Sequence, residues 1–266
     1  MKTTLITHIF NEEYMLPFWL THHDAMFVDI IIIDYNSTDK SIEICKRLCP
    51  RCKIIQTRNQ YFAAIDVDRE CMDIENEIDG IKIILNTTEF LVCDAPLGNL
   101  FVNQASFSIT AVTPYSLRSY DVSTTDELFR NLLNADVMYH NDRGVRQLHN
   151  FPNGNYTIGR HGTNNATQPT DRAHIVWFGY YPMNEQLLER KLQIQQNIPY
   201  SDKVRGFGFQ HLYDRNKILS VNREKAQSGV ALGNINPILY NLLRRGTYKG
   251  NRRFPLNPSL SGNLRL

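Results

Sequence analysis

The sequence predicts an α/β protein built on a mostly parallel sheet flanked by helices. Three observations carry this. Strand-like and helix-like segments alternate over the first ninety residues, the strand-like ones are nearly continuous apolar runs, and each ends in a polar cluster. Such runs belong to strands covered on both faces, and helical crossovers between them favour parallel pairing.

Residues 4–10 form a β-branched apolar run that Asn11-Glu12-Glu13 stops. Met15, Phe18 and Trp19 then recur at helical spacing over residues 14–25, with Pro17 tolerated in a first turn. Residues 28–33 make a second strand. It is closed by the turn-and-cap cluster 34–39, which opens a helix with Ile42, Cys45, Leu48 and Cys49 on one face. A short strand at 53–57, a helix at 62–78 and a strand at 81–85 complete the alternation. Parallel sheets bind ligands outside the carboxyl ends of their strands. Here those ends read Phe10-Asn-Glu-Glu13, Asp34-Tyr-Asn-Ser-Thr-Asp39, Thr57-Arg-Asn-Gln60 and Asn86-Thr-Thr-Glu89, and they are expected to converge on one crevice.

Further along, residues 107–112, 137–140, 156–161 and 174–178 read as strands between Asn/Gly/Thr-rich loops. Residues 184–195 form an amphipathic helix, and the Gly- and aromatic-rich stretch 206–211 reads as a lid. After Gly229 the periodicity fades, so residues 1–228 are expected to form one domain with halves at 1–92 and 93–228. Residues 229–266 then form a Pro/Asn-rich arm.

The composition, with 42% hydrophobic and 21% charged residues, is that of a globular chain. The formal net charge of +2 hides a split: residues 229–266 hold six basic residues and no acidic one, leaving the first 228 at about −4 by the same count. That excludes a uniformly basic nucleic-acid binder, so no nucleic-acid partner is expected. The tail could contact an anionic acceptor, a membrane surface or a partner, or simply solubilise the chain. The run 27–33 is broken by Asp29 and falls far short of the ~20 residues of a membrane span. With no export signal in view, a cytoplasmic location is expected, and the five cysteines read as reduced thiols.

The text Ile9-Phe-Asn-Glu-Glu-Tyr-Met-Leu-Pro-Phe-Trp-Leu-Thr-His-His23, followed by Ile31-Ile-Ile-Asp-Tyr-Asn-Ser-Thr-Asp39, resembles a family 2 type glycosyltransferase. It is similar to the branch that reads N-E…L-x-W-x-x-x-H and then a hydrophobic run with D-x-x-S-T-D. The resemblance runs through Gln60 to Leu85-Asn-Thr-Thr-Glu-Phe-Leu91 and, more weakly, to Gly159-Arg-His161-Gly162, His174, Arg190-Lys191 and the segment 206–211. It implies a GT-A fold, a nucleotide-sugar donor (UDP-linked) and an inverting transfer to an acceptor hydroxyl on a glycan, a lipid-linked molecule or a protein. By the same resemblance the donor nucleotide would meet Phe10, Glu12, Asp34, Arg58, Gln60, Arg69 and Asn86. An inverting transfer needs a general base, for which Asp171, His161 and His211 are candidates.

The family's L-D-x-D-E-F-L is degenerate here, since Asn86 and Thr88 stand where two aspartates hold Mn²⁺ or Mg²⁺. Three alternatives follow. Glu89, His174 and Thr88 hold a weakly bound ion; or cations such as Arg69, Arg160 or Arg172 stabilise the leaving group instead; or the chain binds a nucleotide or glycan without catalysing transfer. Separately, Cys45-x-x-x-Cys49-x-x-Cys52 has the spacing of a radical-SAM iron–sulfur motif, against which stands its place on the apolar stripe of a helix.

Overall fold

A computed structural model of the chain describes residues 1–101, 104–141 and 144–246. The expected alternation is present as β1 (Thr3–Ile9), α1 (Leu16–His23), β2 (Asp29–Asp34), α2 (Ser41–Leu48), β3 (Lys53–Gln56), α3 (Ala64–Asn76) and β4 (Ile81–Ile84). There follow β5 (Glu89–Cys93), β6 (Ser106–Ile109), β7 (Ala111–Ser116), α4 (Thr125–Asn131), β8 (Val137–His140), β9 (Arg146–His149), β10 (Gln168–Pro169) and β11 (Ala173–Trp177). The chain continues through α5 (Glu185–Gln193), α6 (Tyr200–Arg205), α7 (Arg215–Ser228), α8 (Leu232–Ile235) and α9 (Pro237–Arg245).

The architecture is α/β with a mostly parallel mixed sheet flanked by helices. Seven strands lie in the order β10-β6-β9-β4-β1-β2-β3, with β4, β1, β2 and β3 mutually parallel and β9 antiparallel to both β4 and β6. The apolar runs explain this directly. On β1 and β2, Leu5, Ile9, Ile30 and Ile32 enter one core cluster, while Ile6, Ile31 and Ile33 enter a second on the opposite face. Strands buried on both faces have no room for polar alternation. A second sheet, β5-β11-β7-β8, stands beside the first.

In that second sheet β5 is an edge strand, paired only with β11. Its outer edge is closed by side chains of α1. The Trp19 indole N–H donates to the Glu89 carbonyl (3.0 Å), and the Leu91 N–H donates to His23 Nε2 (3.1 Å). His22 Nε2 meets the Leu91 carbonyl at 2.7 Å, and His23 Nδ1 the Trp19 carbonyl at 2.9 Å. A buried backbone edge must be satisfied somewhere, and here imidazole and indole groups replace a strand. Trp19 and His23, which anchor the resemblance, are therefore scaffold that sets the height of β5.

Several sequence expectations change. Residues 107–112 are not one strand: the chain switches sheets at Thr110, so β6 joins the larger sheet and β7 the smaller. Residues 156–161 are a 3-10 turn at Ile158–Arg160 rather than a strand, because Gly159 (φ 75°) and Arg160 (φ 58°) turn the chain back. The arm does not begin at Gly229. Residues 232–245 form two helices, with the Asn236 side chain accepting the Leu239 N–H and Leu232, Leu239 and Leu243 buried in the main core. Only the part of the expected arm from residue 247 onward lies outside the described residues. Five reduced thiols are also not what is found. Cys49 and Cys52 form a disulfide, while Cys45, Cys71 and Cys93 are free and buried, their thiols pushed up to about 12 by burial. That leaves Cys45 alone of the iron–sulfur triplet and ends that reading.

Two measurements check this account. His23→Leu leaves the Leu91 N–H without its acceptor and is expected to lower the unfolding free energy in urea by about 1–3 kcal/mol. Leu239 is fully buried, so Leu239→Ala should cost about 2–5 kcal/mol; an unchanged midpoint would return residues 232–245 to the status of an unattached arm.

Candidate active-site crevice

The carboxyl ends of β1 and β4 open into a crevice lined by His8, Phe10, Glu12, Phe62, Asn86, Thr87, Thr88, Trp177, Arg190, Lys191 and His211, among others. The turn after β4 brings in Asn86–Thr88, and the end of β11 brings in Trp177. The cationic pair Arg190-Lys191 is carried by α5, which starts where the Asn184 side chain accepts the Leu187 N–H.

Three ion pairs of low exposure stand at and near this lining, of which only the Glu12–Arg190 pair is part of it. Glu12 is held bidentately by Arg190, with Nε to Oε2 and Nη2 to Oε1 both at 2.6 Å, and Nη2 also reaches Thr87 Oγ1 at 3.3 Å. Glu89 is held the same way by Arg146, at 2.9 and 2.5 Å. Asp68 pairs with Arg160, whose Nη2 donates to Asn86 Oδ1 at 2.9 Å. Such forks fix both charge and orientation.

The backbone of Arg160 is held in the left-handed region, a conformation a non-glycine residue adopts at a cost of about 1–2 kcal/mol. Its neighbours impose it. Asp68 accepts the Gly159 N–H (2.7 Å), and Arg146 Nη1 donates to the Gly159 and Arg160 carbonyls (3.2 and 3.0 Å). The preceding loop is tied to α3 by Glu75, which accepts from Gly154 N–H (2.7 Å) and the Tyr156 hydroxyl (2.8 Å). Burial opposes the Arg160 charge, but Asp68 together with Cys71, Glu89 and Tyr156 outweighs it and holds the pKa above its ordinary value.

His8, on β1, sits among these groups. Burial, then the charges of Arg160, Arg146 and Arg190, hold its pKa well below the ordinary 6.5. Its Nδ1 is buried without a hydrogen-bond partner, and its ring lies 5.2 Å from that of Phe62. It is a neutral imidazole on the wall of a cationic crevice.

Of the expected donor residues, Phe10, Glu12 and Asn86 line the crevice. Asp34 is buried at the end of β2 and accepts the Ser37 N–H at 3.0 Å, the turn-closing role of a helix-opening cluster. Arg58 and Arg69 are corrections: both are exposed and paired on the surface, with Asp73 and Asp66 respectively. Gln60 is exposed and does not line the crevice either. Among the general-base candidates, His211 lines the crevice, and His161 stands behind it with Nδ1 at 3.1 Å from Arg146 Nη1. Asp171 is a correction. It precedes β11, at the end of that strand opposite Trp177, roughly 13 Å or more away along the strand. Arg172 is equally remote and pairs with Asp94.

The metal set is also not assembled. In the antiparallel register Trp177 faces Glu89 while His174 faces Val92, which places His174 roughly 10 Å further along the strand. There its Nδ1 meets Asn236 Nδ2 at 3.0 Å. Thr88 Oγ1 accepts from the Trp177 indole N–H (3.0 Å), Asn86 Oδ1 from Arg160, and both Glu89 oxygens from Arg146. Oxygens committed to guanidinium and N–H donors, with three guanidiniums nearby, are a poor donor set for a hard divalent ion. Among the described residues no group of three His, Cys, Asp or Glu is gathered to hold a metal.

Arg146 and His8 escape a reading of the sequence. Arg146 lies in a four-residue strand that the expectation of a loop concealed. A cation flanked by Val145 and Leu148 was its one visible signal. His8 lies inside the first apolar run, where its position in a doubly buried strand marks it as a polar residue that needs a reason.

The pH dependence of stability checks the placement of His8. Below about 6.5 the unfolded chain takes up a proton at His8 that the folded chain refuses, so the contribution is full above that value and is lost as pH falls. His174, lowered chiefly by burial, acts in the same direction. His8→Gln should therefore flatten, without abolishing, the decline in unfolding free energy between about pH 6.5 and 5, by at most about 1.4 kcal/mol per pH unit.

No protein-family model matches the sequence, and no curated protein matches it. Among solved structures, S. aureus TarS 1–349 is similar with a TM-score of 0.35 and 11% identity, over 56% of this chain and 47% of that one. Its complex with UDP-GlcNAc gives 0.33 and 13%, over 56% and 46%. Glucosyl-3-phosphoglycerate synthase from Mycobacterium tuberculosis, in complex with Mn²⁺, UDP and glucosyl-3-phosphoglycerate, gives 0.32 and 12%, over 42% and 44%. The chain thus spans less than half the length of each, a partial overlap of chain path, and its site is read from its own residues.

Proposed function

We propose that this protein is a GT-A-type glycosyltransferase that moves a sugar from a nucleotide-sugar donor, UDP-linked, to an acceptor hydroxyl with inversion, using side-chain cations where the family it resembles in sequence carries a D-x-D pair. One observation carries the reading: the crevice at the carboxyl ends of β1 and β4 gathers Arg190 and Lys191 beside Asn86, Thr87 and Thr88, with aromatic walls at Phe10, Phe62 and Trp177.

A diphosphate leaving group brings concentrated negative charge, and fixed cations in a partly dry cleft stabilise it as it departs. Arg190 is suited to this although it is paired. Its fork uses Nε and Nη2 on Glu12 and Thr87, so Nη1 stays outside those bonds. Aromatic rings offer faces for a base or a sugar. In the transfer the acceptor oxygen attacks the anomeric carbon. The bond to the diphosphate breaks with its electron pair passing to the diphosphate, and the hydroxyl proton passes to a base, for which His211 is the candidate on the crevice wall.

The test is release of nucleoside diphosphate from a panel of nucleotide sugars, with and without Mn²⁺ and with EDTA. Release that survives EDTA is expected, and Lys191→Met should weaken UDP binding by roughly tenfold to a hundredfold, the worth of a charge-assisted bond. A second reading, binding without transfer, is favoured by one fact: Glu12, the carboxylate that lines the crevice, is neutralised in an ion pair with Arg190. A thermal shift with UDP but no diphosphate release from any donor would establish it and overturn the transferase.

A further inference from the structure

Beside the crevice mouth the surface is unusually apolar. Tyr200 is 81% exposed, Val204 68%, Phe209 57% and, across a short gap, Tyr61 58%. Tyr200 and Val204 share one face of α6, four residues apart. The only acid of this segment, Asp202, is buried and turned inward, where it accepts the Ala64 N–H (2.8 Å) and caps α3, whose own N-cap residue Ala63 offers no side-chain cap. A further bond from Phe62 N–H to the Asn197 carbonyl (3.3 Å) fastens the segment to the same place. What it presents outward is therefore aromatic and aliphatic side chains interleaved with the exposed cations Lys203 and Arg205, neither of them in an ion pair among the described residues. The acids of α3 that are not buried, Asp66 and Asp73, are already paired with Arg69 and Arg58.

We propose that this face, Tyr61 with residues 200–209, docks the protein on an anionic lipid surface. The charge is complementary, and bulky apolar groups beside Lys and Arg are the composition of segments that lie in a headgroup layer. No helix among the described residues is long and apolar enough to cross a membrane, so the contact is a surface one. It would hold the crevice mouth, bordered by Phe62 and His211, against the lipid headgroups. The inference goes beyond the transferase reading and stands or falls without it.

The experiment is co-sedimentation of the full chain with vesicles of phosphatidylcholine alone or of phosphatidylcholine with phosphatidylserine. Binding is expected only to the anionic vesicles, weakening as salt rises. The exposed triple variant Tyr200→Ser/Val204→Ser/Phe209→Ser and the pair Lys203→Glu/Arg205→Glu should each lower partitioning by roughly tenfold or more. In a Tyr200→Trp variant the emission of the new indole should shift to the blue with anionic vesicles. Equal sedimentation with both vesicle types, or unchanged binding by the folded charge-reversed pair, overturns the proposal. So does concentration-dependent self-association that the triple variant abolishes, which would assign the face to a second copy of the chain.

Discussion

The outer edge of β5 has no strand to pair with among the described residues, and the site depends on how that edge is closed. Trp19, His22 and His23, on consecutive turns of α1, supply the hydrogen bonds a neighbouring strand would give to Glu89 and Leu91. Because those bonds are directional, they fix the height and tilt of β5 relative to the larger sheet. The Glu89 carboxylate is thereby presented to Arg146 on β9, a strand of that larger sheet, which ties the two sheets together through one buried fork. Breaking such a pair by removing one partner leaves a buried charge uncompensated, a far larger penalty than the net worth of the pair itself.

From that point the electrostatics propagate. Arg146 reaches past Glu89 to the carbonyls of Gly159 and Arg160, and so shapes the turn that aims Arg160 at Asp68 and Asn86. On the other side of the crevice Arg190 performs the matching task for Glu12. The lowered pKa of His8, due first to burial and then to these three guanidiniums, registers their convergence on one wall.

Much of the fold was legible because burial on both faces leaves a plain trace. The apolar runs of β1, β2 and β4, the helices between them, and the opening of α5 at Asn184 all follow from local pattern. Among the misses, β9 is four residues long and carries Arg146 and His149 in buried positions, so its composition reads as loop while tertiary contacts make it a strand. The placement of Phe10, Glu12 and Asn86 at the crevice was legible because they stand at strand ends. Arg58 also follows a strand end, that of β3, but is exposed, and nothing in a linear pattern distinguishes an end that faces the crevice from one that faces out; Arg69 lies within α3 and is exposed too. Asp171 and His174 failed for a geometric reason, since they occupy the wrong end of β11.

The neutral residues at 86 and 88 and the arginines around them are two halves of one arrangement. Glu12, Asp68 and Glu89 are matched by Arg190, Arg160 and Arg146, three charges against three, and Asn86 and Thr88 leave that balance undisturbed. Aspartates at both positions would add two negative charges to a set of pairs that is already balanced. The Asn86 carbonyl oxygen, which as part of a carboxylate would compete for a metal, serves here as an acceptor that steadies Arg160 at 2.9 Å. Neutral side chains at 86 and 88 are thus the condition under which these guanidinium–carboxylate pairs stand balanced beside the crevice.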